Sequence, residues 1–97
     1  MSFKLTRIDE SRALMMAAAS FALGVYVEQE AKKVDSWRDI DLGNLYEHLR
    51  HEILDEIRPN IKRGEMTYLI HNAADAAALS LMILARAIEL NEKASRP

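Results

Sequence analysis

Asp75 is the one formally charged residue in the nineteen-residue stretch 67–85, whose other members are Ala, Leu, Ile, Met and Tyr with a few neutral polar groups. A carboxylate in the middle of such a helix belongs in the interior, where an unpaired charge is costly. It needs a proton, a basic partner or a cation. The nearest candidates are His71 and Asn72 on the same helix, and the acidic run Glu52, Asp55 and Glu56 on the helix before it. Carboxylates that converge are best reconciled by a divalent cation. An oxygen-rich ligand set of Glu52, Asp55, Glu56, Asp75 and Asn72 suits Mg²⁺ or Mn²⁺ and argues against zinc.

With about 100° per residue, the apolar face of the second helix is set by Leu42, Leu45, Leu49 and Ile53. Glu56 then falls inside that face and Glu52 on its border. Asp55 and His48 lie further round, and His51 is more peripheral. Glu52 and Glu56 are one turn apart and Glu52 and Asp55 are i, i+3 neighbours, so either pair can reach a common point. His71, Asn72 and Asp75 share one side of the third helix, and antiparallel packing can join the two sets. A plainer account stands beside this one. Acidic residues on the margin of an amphipathic helix usually form a solvated face, which suits Glu47 and, less well, Asp55. Asp75 is then neutralised by Arg50 or is a protonated core acid, and the three histidines are packing or surface residues. Trp37, the single tryptophan, is either a hydrophobic lid or a base-stacking group.

The elements that must position these groups are helices. Ninety-seven residues make one small domain, and three Gly and two Pro leave almost no turn material for a β architecture. The absence of cysteine removes disulfides, thiolate catalysis and zinc–sulfur sites. A formal charge of −2 gives no basic surplus for nucleic acid. Periodicity predicts helices over about 9–33, 42–58 and 65–93. The first carries the stripe Leu14, Ala18, Phe21 and Val25, with Gly24 expected to permit close helix approach and Thr6 or Asp9 as its cap. The second is expected to stop at Arg58, because Pro59 disfavours helical geometry in the residue before it, and residues 60–64 then form a basic link. The third is apolar around most of its circumference and must be covered on several sides, more than two helices of one chain can do. The expected fold is therefore all-α, a three-helix chain forming a helical bundle completed by homodimerisation, with two-fold symmetry.

Residues 13–27 superficially look like a signal peptide, but Asp9 and Glu10 interrupt the basic region before them. Residues 67–85 have the length of a membrane span, yet His71, Asn72, Asp75 and Ser80 lie along it. The expectation is a cytoplasmic chain with no membrane partner.

The stretch HLRHEILDE (His48 to Glu56), followed after a basic link by HNAADAAALSLMILARA (His71 to Ala87), resembles the all-α nucleoside triphosphate pyrophosphohydrolases of the MazG type. The hallmark of that superfamily is E-x-x-E on one helix and E-x-x-D on the next, four carboxylates that hold Mg²⁺ for hydrolysis between the α and β phosphates. The resemblance covers about residues 37–87. Glu52 and Asp55 match the first pair and Asp75 the final Asp, while Asn72 stands where the family has Glu. Asp55 is shorter than the usual Glu, and Glu56 offers the alternative pair Glu52 and Glu56.

The resemblance implies a nucleotide substrate, with Glu52 or Glu56 acting on the attacking water. Lys62, Arg63 and Arg50 are candidates for the outer phosphates, and Trp37, His48 and His71 for further substrate contacts. The alternative is a helical dimerisation module that keeps the fold and has lost its chemistry, a reading that Asn72 favours. A di-iron carboxylate bundle wants Glu-x-x-His at i, i+3, whereas Glu47 and His51 are four apart. A helical ribonuclease would need an Arg and a His facing one pocket, and the adjacent Arg50 and His51 diverge.

Overall fold

Ala, Leu, Met and Glu dominate the first third of the chain with no proline to interrupt them, and this composition propagates helix without a break. In the computed structural model, which describes residues 3–96 and side-chain surroundings from residue 6 onward, helix α1 spans Phe3–Lys33. It begins six residues earlier than expected, so Thr6 and Asp9 lie within it and do not cap it. Lys32 and Lys33 close its last turn, where positive charge meets the negative end of the helix dipole. Val34 then takes a left-handed conformation, φ 54°, strained for a β-branched residue, and turns the chain into a 3₁₀ segment, Ser36–Asp39.

Asp41 caps the next helix by accepting the Asn44 amide at 2.7 Å. Helix α2, Leu42–His51, runs into a π-helical segment, Glu52–Ile57, and on into α3, Arg58–Arg63. The expected stop at Arg58 therefore does not occur. A proline inside an α-helix clashes with the carbonyl four residues back. The wider π turn relieves that clash, so the rod continues through Pro59. It ends at Gly64, whose left-handed φ of 67° is the usual helix terminator. Residues expected as a basic link are the last turn of this rod. Helix α4, Met66–Ser95, follows directly.

The described residues contain no strand, and the all-α expectation holds. Both α1 and the rod formed by α2 and the π turn pack on α4. Leu45 is the deepest large side chain, 1% exposed, and Ala22, Ala74, Ala76 and Ala78 make up the rest of the buried apolar set. These small residues bring the backbones together and bury little area. The stripe predicted for α1 is largely uncovered: Leu14 is 72% exposed and Phe21 44%. The face that meets α4 is rotated toward Ala22 and Tyr26, about a quarter turn away. Ile53, expected on the buried face of α2, is 44% exposed. No described helix is long and apolar enough to cross a membrane.

Gly24 does not serve a close approach, since a Cβ built there meets nothing within 4 Å. Its replacement has only the helix-propensity term to express. Gly24→Ala should stabilise the chain by about 0.5–1 kcal/mol, read from urea unfolding midpoints at constant slope.

Candidate functional site

Glu52 lies at the junction of α2 and the π turn, and Asp75 in the third turn of α4. Both line one cavity of about 240 Å³, whose walls include Tyr26, Trp37, Leu45, His48, Leu79 and Met82. The Oε2 atom of Glu52 is buried with no hydrogen-bond partner among the described residues. Burial pushes the Glu52 carboxyl above its ordinary range, and the nearby charges of Asp75 and then Glu56 push it further, against a smaller opposing effect of His51. Asp75 is raised as well, chiefly by burial, with His71 one turn away pulling it down. Two carboxylates from different rods thus share a half-buried space, as the sequence implied.

The remaining candidates divide into those that join this pair and those that do not. Glu56 is half-buried and close enough to act on Glu52. Asp55 is turned away, its side chain 62% exposed and 2.6 Å from the His51 imidazole. Arg50 pairs at 3.4 Å with Glu47 on the exposed face, so it does not neutralise Asp75. Asn72 is tied elsewhere, its amide nitrogen donating at 2.7 Å to Asn60 Oδ1. Lys62 and Arg63 sit exposed at the end of α3, Arg63 at 3.9 Å from Glu65, and neither lines the cavity. His71 packs its ring against Phe21, centroids 5.8 Å apart.

Trp37 is a wall of the cavity and is fixed there. Its indole N–H donates to the Tyr26 hydroxyl at 3.1 Å, and the two rings meet edge to face. The turn that carries it is tied to α4 by Arg86, which donates to the Ile40 carbonyl, and by the Arg38–Glu89 ion pair. Sequence reasoning missed Tyr26, Asn60 and Arg86. Arg86 did carry a signal, as the first Lys or Arg after the twenty-two residues 64–85 without one.

Among the described residues, no three His, Asp or Glu side chains are placed to enclose a metal ion. Mg²⁺ does not demand such a cage. It keeps several waters and is commonly held by one or two carboxylates together with substrate phosphates. An orphaned buried carboxylate oxygen beside a second carboxylate fits that mode of binding.

Both carboxyls are raised, so each contributes stability below its unfolded-state value and loses it as pH climbs through the raised folded value. Glu52→Gln removes the charge and keeps the shape. The variant should gain stability over the wild type, and the gain should grow from acid to neutral pH in metal-free urea titrations. A difference independent of pH contradicts the assignment.

Comparison with known protein families, with curated proteins and with solved structures gives no match to this chain.

Proposed function

We propose that this chain is a divalent-metal-dependent nucleotide pyrophosphohydrolase related to the MazG type. The observation that carries the reading is the unpartnered, buried Glu52 Oε2 beside Asp75 in an aromatic-walled cavity. Glu52 and Asp75, with Glu56 near Glu52, would hold Mg²⁺ or Mn²⁺, which would supply charge screening for the phosphate groups. The chain's own groups do the rest. Trp37 and Tyr26 offer aromatic surface against which a nucleobase can pack. His48, at the same cavity, is a neutral or cationic donor for phosphate oxygens. Glu52 accepts a proton from a water attacking the α-phosphorus, while the α–β bridging oxygen leaves with pyrophosphate. Burial and Asp75 raise its basicity toward the range in which a general base works. Lys62 and Arg63 are assigned no part in this scheme.

The homodimer belongs to the same proposal. The accessible surface, 7771 Å², exceeds the roughly 5,600 Å² expected of a compact monomer of this mass. The radius of gyration, 16.4 Å, likewise exceeds the roughly 12–13 Å expected. Along α4, Ala77, Leu81, Leu84 and Ile88 recur at alternating spacings of four and three, a coiled-coil seam, with Ile70 two turns before it. Ile70, Leu84 and Ile88 are each more than half exposed. A second copy covers this seam, and the uncovered apolar surface of α1 extends the interface. The same surface supports the alternative reading, an assembly module without catalysis.

Two measurements separate these readings. With Mg²⁺ or Mn²⁺, the purified chain should release pyrophosphate from at least one nucleoside triphosphate, and Asp75→Asn should lower that rate by at least about ten-fold. Equal rates from both proteins leave only the assembly module. Leu84→Glu, by contrast, should shift the sedimenting species from dimer to monomer while the far-ultraviolet helical signal persists.

A further inference from the structure

The sequence left two partners open for Glu52, namely Asp55 and Glu56, and the winding of the helix chooses between them. From Glu52 to Ile57 the backbone is π-helical, and the Arg58 N–H donates to the Ile53 carbonyl five residues back. A π turn takes more than four residues, against 3.6 in an α turn. Residues four apart then stay on one side of the rod, and residues three apart diverge. Glu56 accordingly shares the half-buried side with Glu52. Asp55 is swung outward, where it meets the His51 imidazole at 2.6 Å. Immediately after this segment comes Pro59, in the first turn of α3. It has no N–H to donate, and its ring excludes α geometry at the carbonyl of Asp55, four residues back. The next residue, Asn60, is only 7% exposed and accepts from Asn72 on α4, which fixes the far side of the π turn against the same helix that carries Asp75.

We infer that Pro59 is a positioning residue, which by enforcing the π turn makes Glu56, and not Asp55, the partner of Glu52. This inference rests on the proposed metal site, but the winding itself can be read without metal.

In labelled protein, the scalar coupling across the hydrogen bond from the Arg58 amide should lead to the Ile53 carbonyl. In Pro59→Ala, where α winding is permitted, it should move to Leu54. Mn²⁺ binding alone then tests the selection. Glu56→Gln should weaken it about ten-fold or more, and adding Pro59→Ala to that variant should restore part of the loss, because Asp55 returns to reach of Glu52. An unchanged Ile53 coupling in Pro59→Ala, or a double variant no better than Glu56→Gln, overturns the inference. If the wild-type chain binds no Mn²⁺, the metal site falls, and the coupling still decides whether Pro59 sets the winding.

Discussion

Two carboxylates held half-buried on neighbouring rods are the constraint from which the rest of this chain follows. Glu52 has an oxygen sealed from water with no donor, and Asp75 lies beside it in a helix that supplies no other formal charge for nearly three turns on either side. Leaving such groups ionised and uncompensated works against folding, and a packed apolar pair would serve a purely structural role better. The helices nevertheless approach closely there, where the small Ala78 and the buried Leu45 line the same cavity. In the proposed function, a cation bound with substrate phosphates would convert that unfavourable pairing into binding energy.

Much of this was legible in the sequence, and the reasons are specific. The isolation of Asp75 announced an interior acid, and the angular position of Glu52 placed it at the edge of the buried face of α2; both sit where those arguments put them. The expectation failed where local rules met tertiary ones. Pro59 is a reliable stop signal only when the chain cannot widen its turn, and here it does so. That one change carried the rod to Arg63 and left Asp55 facing outward. Proximity across the fold explains the other gaps. Asn72 was read by its place in a motif, whereas Asn60 holds it from twelve residues away. Tyr26 reaches the site only because the 3₁₀ turn brings Trp37 back against α1.

The apolar surface is the second theme, and it is linked to the first. A chain whose buried core is one leucine and a few alanines has little hydrophobic stabilisation to set against two strained carboxylates. In the proposed dimer, burial by a second copy along the α4 seam would offset that deficit, on the side of α4 turned away from Asp75. Assembly and chemistry would then occupy different faces of one helix, which would let α4 be apolar all round and still carry an acid.

The most direct test is a crystal of the chain grown or soaked with Mn²⁺ and measured at the manganese absorption edge. The account predicts an anomalous peak between the Glu52 and Asp75 carboxylates, with Glu56 nearer to it than Asp55. A map with no peak at that point, or with manganese held only by exposed carboxylates, contradicts it.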